Sequence, residues 1–465
     1  MQGTRGLPIE SSQSGVPTTL ETQLSVALSR RRAQNLLRST PIPRQGLTDF
    51  SSNDYLGLAR TPQLHSHFLS ALQHQAPWQR RRFYPGSDDA YQSSNTTQLP
   101  RETLGSTGSR LLTGNSSTAL DLEQYLADYH SSPSALLFNS GYDANLSLLS
   151  TLPQPDGGVL HDEFVHASMH DGIRMCRARR ENVRSFRHND VEDLENVLVH
   201  MLGSEEEAAQ NGRKYCKTVV VAIESLYSMD GDIAPLREIA TLLSRFDGRA
   251  ILVVDEAHST GTYGAGGRGL VSHLGLESKV FARLHTFGKA VGAHGAVVLG
   301  PAVLREYLCN YARPLVYSTM MAGHALLAIR CAYEVMEGEA EARQARLNGL
   351  IEVFKSAMRD LPPTVELLHS DTMVQGIVFP GNANVVMLAK VLQDKRFDVR
   401  PIRSPTVPVG TERVRVCLHA HNTAEEIQDL AVALRSALEE LHPRAANPTK
   451  PTVVDPPTAS LTPRL

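Results

Sequence analysis

Four short apolar runs constrain this chain most: SALLF at 134–138, TVVVAIE at 218–224, AILVVDE at 250–256 and GAVVLG at 295–300. None alternates apolar with polar. A strand with one wet face alternates, whereas a strand covered on both faces does not, so continuous runs read as a mostly parallel sheet sandwiched by helices. Helical patterns between the runs, such as PLREIATLLSR at 235–245, supply the covering layers. The expected fold class is therefore α/β, a large domain with a mostly parallel sheet followed by a smaller α+β C-terminal domain.

The expected organisation has four parts. Residues 1–60 form an N-terminal helix and arm, with helical periodicity over 20–38. Residues 61–325 form the large domain, 326–442 the small domain behind a long helix starting near 322, and 443–465 a disordered tail rich in Pro and Thr. The stretches 75–101 and 203–216 read as polar insertions.

Bulk properties exclude several functions. Of 465 residues, 20% are charged and the formal net charge is −3, so no basic field awaits a nucleic-acid partner. No apolar run reaches membrane-spanning length. Five cysteines without CxxC spacing indicate reduced thiols and no metal site. The last residues, Pro463-Arg464-Leu465, resemble a degenerate peroxisomal tripeptide, so cytoplasmic or peroxisomal residence is expected.

The string DEAH at 255–258 suggests a helicase, but no GxxxxGK[ST] loop accompanies it: Ala290 follows Gly288-Lys289. GAGGRG at 264–269 satisfies a dinucleotide pattern yet does not directly follow a strand. A different chemistry fits better. Asp255 ends an apolar run, His258 follows, and Lys289 sits in a Gly-rich turn. A lysine amine can form a Schiff base with the aldehyde of pyridoxal 5'-phosphate (PLP), and a carboxylate can hold the pyridine nitrogen protonated. Thr286 beside the lysine and the Ser140-Gly141-Tyr142 turn offer groups for the phosphate.

Collinear motifs sharpen this reading. FSSNDYLGL (50–58), GSTGSRLLTGNS (105–116), SGYDAN (140–145), FVHAS (164–168), ESLYSMDGDIAPL (224–236), VDEAHSTGTYGAGGRG (254–269), HTFGKAVGAHGA (285–296), VYSTMM (316–321) and IRSPTVPVG (402–410) occur in order. Over residues 20–440 the chain resembles the α-oxoamine synthases, PLP-dependent enzymes of the aspartate-aminotransferase fold (fold type I).

The resemblance implies roles. Lys289 carries the cofactor and moves the Cα proton; Asp255 faces the pyridinium; His258 reaches the ring's phenolic oxygen; His166 stacks on the ring. Gly141, Tyr142, Ser228, Thr286 and Thr319 complete the cofactor site, Thr319 toward the other subunit of a homodimer. Arg38, Asn53, Arg403 and Thr406, with His166, bind substrate, Arg403 as the carboxylate clamp, and Glu224 belongs to the same cavity. The implied activity is decarboxylative condensation of L-alanine with a pimeloyl thioester, on CoA or an acyl carrier, in the branch of biotin synthesis. The alternative is a sibling enzyme using glycine, serine or another acyl-CoA. A non-catalytic scaffold subunit would lack Lys289.

Overall fold

The computed structural model describes residues 18–40, 42, 44–74, 104–203, 215–359, 361–362 and 365–445. The tail from 446, the insertion over 75–101 and most of that over 203–216 lie outside them.

All four apolar runs are strands of one seven-stranded sheet. In chain order its strands are β2 (Ser134–Phe138), β3 (Gly158–Asp162), β4 (Val183–Phe186), β5 (Val219–Glu224), β6 (Ala250–Asp255), β7 (Ala282–Thr286) and β8 (Ala296–Gly300). The spatial order is β2-β8-β7-β6-β5-β3-β4. β4, β3, β5, β6 and β7 run parallel; β8 pairs antiparallel with both β7 and β2, so it alone is reversed. Every residue of β5 is buried, which explains its unbroken apolar text. Each fully covered Val or Ile there contributes about 1.5–3 kcal/mol.

A second sheet of four antiparallel strands builds the small domain: β9 (Glu366–Leu367), β10 (Val374–Val378), β12 (Arg400–Ile402) and β13 (Arg413–Cys417), ordered β12-β13-β10-β9. The 35-residue helix Gly323–Ala357 leads into it, and the helix Ala424–Ala445 packs on that helix. No helix among the described residues is long and apolar enough to cross a membrane.

Two expectations need correction. The N-terminal helix covers Thr19–Ala33 only, because Asn35 turns left-handed at φ 55°, a conformation asparagine tolerates better than most residues. Arg38 therefore lies five positions beyond the helix. Second, residues 48–57 are not a separate arm. Strand β1 (Thr48–Asp49) pairs parallel with β11 (Phe397–Asp398), and the N–H groups of Cys417 and Ala420 donate to the carbonyls of Phe50 and Tyr55. The small domain is thus closed by the segment that precedes the large one.

Candidate active site

The C-terminal ends of the parallel strands converge on one place, where ligands bind in open α/β sheets. β5 and β6 pair in register, setting Glu224 beside Asp255. Asp255 is 5% exposed. Its Oδ2 accepts from Asn145 Nδ2 at 2.6 Å and its Oδ1 from the Ala257 N–H at 2.8 Å. Among the described residues it has no ion-pair partner. A buried carboxylate held by neutral donors alone offers its charge to something else.

Asn145 also donates to Ser168 Oγ at 3.0 Å, and Ser168 reaches His166 Nδ1 at 2.7 Å. His166 caps the helix Ala167–Arg174: its Nδ1 accepts the Ser168 N–H at 3.2 Å, so the neutral ring carries its proton on Nε2. One hydrogen-bonded line therefore joins His166 to Asp255. Neither Asn145 nor Ser168 was anticipated as a site residue, although both stand inside quoted motifs. The His166 ring is solvent-accessible, yet desolvation by the surrounding protein, opposed by Asp255 and aided by Lys289, holds its pKa below the usual histidine value.

Glu224 is 2% exposed and its Oε1 has no hydrogen-bond partner. Burial first, and the neighbouring Asp255 second, push its pKa well above the carboxylate range. Two adjacent buried carboxyls disfavour each other's ionisation.

Lys289 stands in the turn after β7. By surface area it is only partly sheltered, but enough protein surrounds its ammonium that desolvation pushes the pKa down to about 8, against the attraction of Asp255 and Glu224. At neutral pH a usable fraction is the free amine. The turn itself needs Gly292, at φ 71°: a Cβ there would sit 2.6 Å from the Ala59 backbone nitrogen. The lysine turn is thereby seated on the segment after residue 57.

His258 Nδ1 lies 2.8 Å from the Tyr55 hydroxyl, and burial holds its pKa well below the usual value. Tyr55 donates its one proton to Asn53 Oδ1 at 3.0 Å, which also accepts from Arg415 at 3.2 Å, so the neutral His258 ring meets the Tyr55 oxygen as an Nδ1–H donor. Arg415 donates as well to the Ser228 carbonyl at 3.1 Å.

The helix Gly141–Thr151 points its N-terminus at the same place. Ser140 caps it, and its first N–H groups are free of intrahelical partners by position. A Cβ on Gly141 would sit 3.3 Å from Thr286 Oγ1, so the glycine lets this helix start approach β7. Helix start and threonine together form an anion cradle.

Not every predicted residue joins this cluster. Tyr142 is exposed, and its hydroxyl donates to Asp171. Ser228 is buried beside Arg415. Thr319 is exposed, but its carbonyl accepts from Asn139 at 3.0 Å, beside the Ser140 cap. Arg403 donates to the Asn35 carbonyl, and Thr406 to the Arg403 carbonyl through its N–H. Arg38 is exposed nearby in sequence. Neither arginine shares a hydrogen bond or ion pair with Lys289, Asp255 or His258. The guanidinium brought to them is that of Arg415, projected from β13. Position alone marked Arg403, whereas strand register puts Arg415 next to Asn53.

The donor set fits a particular group: a phosphate at the helix start, a basic ring nitrogen against Asp255, and an electrophilic carbon taken by the Lys289 amine.

Residues 45–434 match the aminotransferase class I and II family. The chain is 40% identical to an 8-amino-7-oxononanoate synthase of Emericella nidulans over 438 residues, covering 92% of this chain and 98% of that protein. It is 33% identical to an 8-amino-7-oxononanoate synthase of Methylobacillus flagellatus over 433 residues, 91% and 97% of the two chains. A serine palmitoyltransferase of Sphingomonas wittichii superposes with a TM-score of 0.75 at 24% identity, covering 91% of this chain and 99% of that one. The 8-amino-7-oxononanoate synthase of Francisella tularensis superposes at 0.63 with 23% identity, covering 86% and 100%. These last two likenesses speak for the fold.

Proposed function

The chain belongs to the aminotransferase class I and II family, and we propose that it is a PLP-dependent acyltransferase. Its reaction joins L-alanine to a pimeloyl thioester, releasing CO₂ and the free thiol, and yields 8-amino-7-oxononanoate for biotin synthesis. The observation that supports this reading most is the convergence of Lys289, Asp255 and His258 at adjacent strand ends.

Lys289, Asp255, His258, His166, Ser228 and Thr286, with the helix start at Gly141, would hold PLP. Bound there, PLP supplies an electrophilic aldehyde and a ring that accepts the electrons left when a bond to the amino acid's Cα breaks. The chain's own groups do the rest. Asp255 holds a proton on the ring nitrogen by its unpaired charge. Lys289, free-based near pH 8, removes and returns the Cα proton at Nζ. Arg415 receives the alanine carboxylate with two donors, and Glu224, its pKa raised by burial, flanks Asp255. His166 Nε2–H faces the cavity as a donor.

We take the working unit to be a homodimer in which Thr319 would serve the partner's phosphate; the molar mass in solution checks the assembly. The acyl carrier is CoA or an acyl carrier protein. The functional test is a substrate screen: alanine, glycine and serine against pimeloyl and longer acyl thioesters, read as CO₂ and thiol release. Alanine with the pimeloyl thioester is expected to lead. Preference for serine with a long acyl chain would refute the assignment in favour of a sibling reaction.

A further inference from the structure

His188 stands outside the site, on the loop after β4, and plays no part in the reaction above. Its Nδ1 is 2.9 Å from Asp162 Oδ1 and its Nε2 is 2.6 Å from Asp232 Oδ2. Carboxylate oxygens only accept, so both ring nitrogens carry hydrogen and the ring is an imidazolium. Phe164 stacks on one face at 4.5 Å between centroids, and Tyr227 meets it edge-on at 4.4 Å. Asn189 repeats the same span. Its N–H donates to Asp162 Oδ2 at 2.8 Å and its side-chain amide to Asp232 Oδ2 at 2.6 Å.

The two aspartates root two turns that carry site residues. Asp162 ends β3; its Oδ1 accepts the Phe164 N–H at 2.8 Å, two residues before His166. Asp232 closes the turn after β5, accepting the Tyr227 N–H on its carbonyl at 3.0 Å, with Ser228 inside that turn. The far side of the Ser228 turn seats the small domain. Ser370 and Thr372 donate to the Gly231 carbonyl at 2.9 and 2.8 Å, and Arg413 pairs with Asp230.

We propose that His188 is a positioning residue: as a cation clasped between Asp162 and Asp232, it fixes the His166 turn and the Ser228 turn relative to each other. Ring stacking and donor geometry at the cofactor then depend on a charge that never touches the cofactor. Burial alone would depress the His188 pKa, and the two carboxylates overcome that and push it up to about 9. Other charged and titratable groups around it are Glu163, which accepts the His188 backbone N–H at 3.0 Å, Asp230 with Arg413, and Tyr227, whose pKa burial raises well above 10. His188, Asp230 and Asp232 lie close enough to ligate a metal. Arg413 already neutralises Asp230, however, and His188 is itself the cation.

The inference rests on the PLP reading of the site, and its test separates the two. Wild type, His188→Gln and Asp232→Asn are compared at pH 7 and pH 10 for PLP affinity by absorbance and for melting of the cofactor-free protein. A folded pKa raised above the unfolded value gives stability that is complete below about pH 6.5 and lost as pH rises through about 9. At pH 7 each variant is expected to bind PLP about ten-fold more weakly and to melt lower, the scale of one lost charge-assisted hydrogen bond. At pH 10 both gaps to wild type should close. The double variant should differ little from either single one. Gaps of equal size at both pH values, or unchanged PLP affinity, would overturn the positioning role. If His188→Gln does not fold, Asp232→Asn carries the same pH comparison. A wild type that binds no PLP sinks the functional reading instead.

Discussion

The floor and the mouth of the candidate site are built differently. On the floor, Asp255, Glu224, Asn145 and His258 are buried at strand and helix ends, and each position is fixed by backbone register. At the mouth, Arg38, Tyr142 and Thr319 are exposed, and Arg403 and Thr406 bond to each other and to the N-terminal segment. A rigid floor aims charge at one point. A mouth held by a few surface bonds can accept acyl chains of differing shape without disturbing the chemistry beneath. Lesions on the floor should therefore damage turnover, and lesions at the mouth should alter substrate preference.

The strongest break is Lys289→Ala. It should abolish visible PLP absorbance and lower turnover by at least about 10²–10⁴-fold, the range of general-base loss. In wild type, PLP capture should quicken as pH rises through about 8, since only the neutral amine attacks an aldehyde. Next comes Asp255→Asn, which keeps the shape and removes the charge. A fall of about 10²-fold in kcat with near-normal alanine KM is expected, and an unchanged kcat would deny the floor its electrostatic role.

Asn145→Ala should cost about 1–3 kcal/mol by leaving Asp255 Oδ2 without its donor. Its signature is a shifted PLP absorbance, because His166 and Asp255 lose their common link. Arg415→Lys and Arg403→Lys form the sharpest contrast between regions. The first should raise the alanine KM about ten-fold, through loss of a two-donor clamp, and the second should leave it within about two-fold. Equal effects would dissolve the floor-and-mouth distinction.

The smallest effect concerns stability. The Glu224 pKa is raised in the fold, so its ionisation opposes folding increasingly as pH climbs above the unfolded value of 4.5. Glu224→Gln should melt higher than wild type at pH 8, with the advantage fading as pH falls toward 4.5.

The sheet was readable because strands covered on both faces leave no alternation in the text, and β5, β6 and β8 matched their runs within a residue or two. Lys289, Asp255 and His258 were readable because each lies within a few residues of a strand end. Arg415 and His188 were not. Their significance comes from contacts with Asn53, Ser228, Asp162 and Asp232, far away along the chain, and no local pattern encodes such meetings. The end of the first helix was missed for the opposite reason. Its composition favours helix through Arg38, and a single left-handed Asn35 stops it.

The pairing of β1 with β11 has a bearing on synthesis. Ser51 reaches Asp398 across 347 positions, so on a ribosome adding about 5–20 residues per second the early segment waits roughly 20–70 seconds for its partner. Until then Phe50, Tyr55 and Leu56, fully covered in the finished molecule, are greasy surface on a nascent chain. Tyr55 also orients His258, so a translating intermediate that has already made Lys289 still lacks a finished pocket.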